Sequence, residues 1–245
     1  MQVSVLSGGA AQGLLEALSG EFKRQTGYAI AGSYGAVGAM REKLLAGVPA
    51  DLLILTSAMI ADLARQGHVD AAATMDIGVV RTALAVPGGD PVPKVETPEA
   101  LARALGAATS LYFPDPQRAT AGIHFAKVLA ELGISGPALA EKAQIHANGT
   151  AAMRALAGAG GRGALGCTQA TEILSTPGVR LIGPLPAPFE LATVYTIGVS
   201  AGAPAPGPAR ALASLLTAPG SASVRARLGF EPLSAGLSAP PGSGP

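Results

Sequence analysis

Residues 35–67 read GAVGAMREKLLAGVPADLLILTSAMIADLARQG. At their centre the unbroken apolar run Leu52 to Leu55, closed by Thr56 and Ser57, is the pattern of a strand covered on both faces. AVGAMREKLLAG before it and AMIADLARQGHV after it are helical segments. Upstream, VSVLS (residues 3–7) runs into a Gly-Gly turn, then into LLEALSGEFKRQTG with its stop at Gly27, and then into YAIAGSYG. Strands alternating with helices of this length predict an α/β fold with a parallel sheet, because parallel neighbours need a crossover connection.

From Arg81 the texture changes. TALAVPGG and SLYFPDP read as strands, and PEALARALGAA and AGIHFAKVLAELGI as helices. AQIHANG, TAAMRALAGAG and ALGCTQ repeat the alternation, and TVYTIGVSA then leads to a single long helix, ARALASLLTAPGSASVRARLGF. The pattern predicts a second α/β unit inserted into the first. One lobe comprises residues 1–82 plus 196–233 and the other residues 83–195, with crossings near Arg81 to Val86 and Leu191 to Ser200. Residues 234–245, rich in Pro, Gly and Ser, are expected to be a poorly packed tail.

Composition narrows the function classes. Hydrophobic residues make up 49% and charged ones only 13%, a packed globular make-up and not a disordered one. Seventeen basic against sixteen acidic residues leave a formal charge of +1, with the basic ones scattered, so nucleic acid is excluded as a partner. No apolar run reaches the about 18 residues of a membrane span. MQVSVLSGG lacks the charged and apolar regions of an export signal. The expectation is a soluble monomer, cytoplasmic if the chain is native and periplasmic if a leader was removed. Cys167 stands alone, and His68, His124 and His146 lie far apart, so neither a disulfide nor a metal site is predicted, and no cofactor.

LSGGAAQGLLEAL, FKRQTG, residues 35–67, DPQRATAGIHFAKVLAELGI and GALGCTQATEIL with PGVRLIGPLP together resemble the molybdate-binding-protein-like family of solute-binding proteins, in order from about residue 3 to 232. The resemblance implies a type II periplasmic-binding-protein fold, two α/β lobes joined by two crossing strands and closing on a ligand. Three departures follow from it. Ala10 stands where molybdate-binding members place a ligand Ser, residues Ala36 to Ala39 replace a Ser/Thr run, and Gln169 aligns with a ligand Tyr. A buried oxyanion oxygen left without a hydrogen bond costs about 1–3 kcal/mol, so molybdate fits poorly. The chain also resembles the aconitate isomerase branch, which implies a cofactor-free allylic proton shift on a small polycarboxylate. The alternative is a non-catalytic anion receptor serving an ABC transporter permease.

Candidate site residues follow from position and chemistry. His124, near the start of the helix beginning at Thr120, is either a general base or a half-buried packing residue against Phe125 and Tyr112. Arg118 is a carboxylate clamp or a solvated loop residue, and Arg81 a ligand contact or the partner of an acid such as Asp76. Gly9, Ala10 and Gln12 in the first turn, and Tyr34, Gly35 and Val37 in the second, bring backbone or a side-chain donor near a ligand. Thr56 ends the third strand as a ligand hydroxyl or a helix cap. Thr120, Thr168 and Gln169 complete the expected contacts, while Glu172 reads as an early-helix acid and an alternative acid/base.

Overall fold

The computed structural model describes residues 1–160 and 162–233. The expected tail at 234–245 lies outside the described residues. In chain order the elements are β1 (Gln2–Gly8), α1 (Gln12–Thr26), β2 (Ala29–Gly35), α2 (Val37–Leu45), β3 (Leu52–Thr56), α3 (Ser57–Arg65), β4 (Val69–Pro87), α4 (Pro98–Ala107), β5 (Ser110–Pro114) and α5 (Thr120–Glu131). They continue as α6 (Gly136–Ala140), β6 (Ala143–His146), α7 (Gly149–Ala157), β7 (Ala164–Gln169), α8 (Ala170–Leu174), β8 (Val179–Pro184), β9 (Ala192–Ser200), α9 (Pro206–Thr217) and α10 (Ala222–Arg227).

Leu52 to Leu55 form β3, with every side chain fully buried. β3 lies between β1, which it pairs in parallel, and β9, which it pairs antiparallel; β1 also takes β2 in parallel. Asp51, just before β3, is buried and accepts hydrogen bonds from the Ser4 amide at 2.7 Å, the Ser4 hydroxyl at 2.8 Å and the Ala205 amide at 2.6 Å. One carboxylate thus ties β1, β3 and the start of α9 together and satisfies donors that burial would otherwise leave unpaired.

The sheet order is β2-β1-β3-β9-β4-β7-β5-β6, with β8 also on β4. β4 is the shared member. Val69 to Arg81 pair with β9, and Thr82 to Ala85 pair with β7. Two hydrophobic cores flank the second half, one under α5 around Phe113 and Phe125 and one under α7 around Met153 and Leu156. The first half has its own core around Phe22, Leu52 and Ile197. This is the two-lobed α/β architecture expected, with β4 and β9 as the crossing segments.

Two local expectations change. β4 begins at Val69, well before Arg81. Exposed alanines and acids with two register irregularities hide its alternation. The long C-terminal helix is broken, because Ala218, which precedes Pro219, takes extended backbone (ψ 147).

Candidate functional site

The cavity between the lobes is built from helix starts. Gly9 and Ala10 lead through a 3-10 turn into α1; Gly35, Ala36 and Val37 open α2; Ala119, Thr120 and Ala121 open α5. Asn148 and Gly149 open α7, and Gln169 precedes α8. No side chain caps the start of α5, so its first N–H groups are free to face a ligand, whereas the Gln12 amide of α1 donates to the Gly9 carbonyl and the Gly38 amide of α2 to the Arg118 carbonyl. Free N–H groups and convergent helix dipoles make this a site for negative charge. Its volume is about 20 Å³, room for little more than one water.

Glu172 lies on the wall of this cavity, only 6% exposed. The Thr168 hydroxyl donates to its Oε2 at 2.6 Å. Burial pushes its pKa up, against the hydrogen bonds from Thr168 and from the backbone N–H groups of Gln169, Thr150 and Gly149. Its carboxylate touches both Gly9 and Gly149, where a Cβ at either position would collide with it. Glycine at these two positions is what lets the acid sit between the lobes.

Tyr195, on β9, is buried beside the acid. Burial and the Glu172 charge push its pKa up, with the Gln169 amide working the other way, so the phenol stays protonated and able to donate. Gln169 is 3% exposed and neither Nε2 nor Oε1 has a hydrogen-bond partner of ordinary geometry. A buried primary amide without a well-formed hydrogen bond is costly, and this one lines the cavity beside the Tyr195 phenol. The site therefore offers free amides, an unpaired donor–acceptor side chain, a phenol and an acid able to exchange a proton.

Residues 3–231 match the family described as bacterial extracellular solute-binding protein. The chain belongs to that family. The chain is 25% identical over 239 residues to an aconitate isomerase of Pseudomonas sp., covering 95% of this chain and 88% of the relative. Its fold is that of the Azotobacter vinelandii periplasmic molybdate-binding protein, with a TM-score of 0.77 at 19% identity over 95% of this chain and 100% of that one. The sulfate-binding protein SubI from Mycobacterium tuberculosis H37Rv is also similar, with a TM-score of 0.71 at 17% identity over 96% and 88% of the two chains.

Of the residues singled out in the sequence, the fold brings Gly9, Ala10, Gly35, Val37, Thr120, Thr168 and Gln169 to the cavity. The others go elsewhere. His124 is one turn along α5 from Thr120, and its Nε2 is 2.8 Å from the Phe189 carbonyl oxygen. That bond holds the ring against the loop before β9, away from the cavity lining. Arg81 hydrogen-bonds Glu231 through Nε at 3.0 and 3.1 Å and lines a separate groove with Phe230; Asp76 instead accepts from Thr196. The Arg118 side chain is exposed and lies 3.6 Å from Glu42. Gln12 donates to Glu16 on the solvent side of α1. The Tyr34 hydroxyl turns back over Gly32 of its own strand, and burial with the nearby Glu16 charge pushes its pKa up. Thr56 caps α3, accepting from the Met59 amide at 3.4 Å, and lines an outer groove.

Of the cavity's acid and phenol, the sequence offered Glu172 only as an alternative acid/base and did not single out Tyr195. Glu172 meets Thr168 of β7 across the turn into α8, but in sequence it looks like an ordinary first-turn acid. Tyr195 sits inside an apolar strand with no motif around it. It supplies a phenol to the cavity from β9.

Proposed function

We propose that the chain is a cofactor-free isomerase that binds a small polycarboxylate between its lobes and shifts an allylic proton, as the name of its aconitate isomerase relative suggests. The observation that carries this reading is Glu172, a buried acid with a raised pKa standing among helix N-termini that attract carboxylate. Free amides and the unpaired Gln169 amide hold a carboxylate of the substrate. The Glu172 carboxylate takes a proton from the methylene carbon of one arm, and the electron pair of that C–H bond forms a new C=C toward the central carbon. The old double bond opens and its far carbon takes the proton back, so the substrate gains and loses one proton and Glu172 is regenerated. Protonated Tyr195 donates to the enolate oxygen that develops between the two steps. Glu172 replaces His124 as the proton-moving group, since the histidine ring is engaged by Phe189.

A second reading is a non-catalytic anion receptor that delivers its ligand to an ABC transporter permease, as in a solute-binding family. Thr168 and the α7 amides hold Glu172 firmly, which also suits a purely structural acid. The two are separated by incubating the protein with trans-aconitate in deuterated buffer and following cis-aconitate and carbon-bound deuterium by NMR. The isomerase reading expects conversion, a loss of about 10²-fold or more in Glu172→Gln, and little change in His124→Ala. Binding of trans-aconitate without conversion supports the receptor.

A further inference from the structure

Resting on the polycarboxylate reading, we propose that the cavity takes one carboxyl of its ligand in the acid form, paired with the Gln169 amide, so that one proton enters from solvent with each ligand bound. Protein, ligand trianion and one H⁺ combine, and no bond to carbon changes in that step. Gln169 is 3% exposed and lines the cavity, and it presents an Nε2 donor and an Oε1 acceptor, both without a hydrogen-bond partner. A carboxylate carries only acceptors, so it answers Nε2 and leaves Oε1 buried and unpaired. A carboxylic acid answers both, its carbonyl accepting from Nε2 and its hydroxyl donating to Oε1.

The charge around the cavity points the same way. Among the described residues that line it, Glu172 is the one carboxyl and none is Lys, Arg or His. The Glu172 carboxylate already receives the Thr168 hydroxyl and the first α7 amides, those of Gly149 and Thr150, so the positive end of that helix is answered from within the chain. At about 20 Å³ the cavity brings an entering carboxyl close to both Glu172 and Gln169. Two carboxylates at close range with no cation between them do not both stay ionised.

Charges on the elements packed around the acid are spoken for elsewhere. On β4, Arg81 is paired with Glu231, Asp70 with Arg210, and Asp76 accepts from Thr196. Arg180 of β8 donates to the Asp90 carbonyl, and Arg154 of α7 and Lys127 of α5 are exposed. On α1, Glu16 accepts from Gln12 at the solvent side and Glu21 pairs with Arg24. Arg41 of α2 is paired with Asp62, Glu42 with Arg118, and His124 of α5 faces the Phe189 carbonyl. Burial pushes up the pKa of the Cys167 thiol on β7 and of the Tyr195 phenol on β9, so both keep their protons and neither balances a second carboxylate. The proton also suits the isomerisation, because a neutral carboxyl stabilises the electron pair released from the adjacent carbon better than a carboxylate does, while Glu172 stays ionised to take the carbon-bound proton.

The test is titration calorimetry with propane-1,2,3-tricarboxylate, which has three carboxylates and no double bond to move, from pH 7 to pH 9, with HEPES and Tris compared at pH 8 to count protons. The wild-type chain is expected to take up about one proton and to lose affinity about 10-fold per pH unit, the dependence that one co-bound proton imposes. Glu172→Gln removes the like charge and is expected to take up fewer than about 0.5 protons and to bind more tightly than wild type at pH 9. Gln169→Met keeps the bulk but removes donor and acceptor, and is expected to weaken binding at pH 7 about 10-fold or more and to lower the uptake likewise. Thermal unfolding of each unliganded variant controls for folding. Wild-type affinity that is flat from pH 7 to pH 9 with no proton taken up overturns the proposal, as does full uptake in both variants, since the proton is then held elsewhere. A wild-type chain that binds neither this probe nor trans-aconitate overturns the polycarboxylate reading itself.

Discussion

The Thr168 hydroxyl and neighbouring backbone amides act to lower the pKa of Glu172, and burial outweighs them and holds it above the ordinary value of 4.5. The direction fixes a pH dependence. A carboxyl whose folded pKa is raised contributes stability that is fully present below the unfolded value and is lost as pH rises through the folded one. The melting temperature of the wild-type chain should therefore fall relative to Glu172→Gln as pH rises above about 4.5, and a difference that stays flat across that range would refute the raised pKa. The same residue marks the limit of reading single side chains. Early-helix acids are common for dipole reasons alone, so nothing in ATEIL separates Glu172 from any other. His124 is the opposite case. Its position near a helix start was legible, but the carbonyl that takes its ring comes from Phe189, 65 residues away.

At the scale of elements, the glycines that begin turns and helices were legible because small residues before a helix allow close backbone approach. Gly9, Gly35 and their neighbours line the cavity. Gly149, at the first position of α7, was not singled out, and its need for a missing Cβ comes from Glu172 and Thr168 on another element. Gly149→Ala should destabilise the fold by about 1–3 kcal/mol in urea unfolding, since either the acid or the helix start must shift. The cost should shrink in a Glu172→Ala background, because the two residues are in contact; full additivity would show that the collision is not the cause. Strand limits were read less well than helix limits. β4 lost its alternation where it crosses between lobes, since its two ends serve different halves of the sheet.

At the scale of the whole molecule, the lobes meet across backbone as well as side chains. The Gly38 amide in the first turn of α2 donates to the Arg118 carbonyl at 3.2 Å, and the same arginine reaches Glu42 on α2. A Cβ at Gly38 would lie 3.0 Å from that carbonyl oxygen, so Gly38→Val should hold the lobes apart. If closure is needed for binding, apparent affinity for trans-aconitate should drop by about 10-fold, and X-ray scattering should show a larger radius of gyration with ligand present. Unchanged affinity and size would remove this contact from the closure. The sequence by itself determined the alternation of strands and helices, the two-lobed α/β class, the family and the glycine turns that face the cleft, because each is written in local periodicity or in contiguous motifs. Only the tertiary structure decided which polar side chains share the cavity. Glu172, Tyr195 and the unpaired Gln169 meet there through a sheet whose crossing strands join distant parts of the chain, while Arg81, Arg118 and His124 are drawn off by Glu231, Glu42 and Phe189. Pairing of that kind depends on distances between residues far apart in the chain, and no local pattern encodes it.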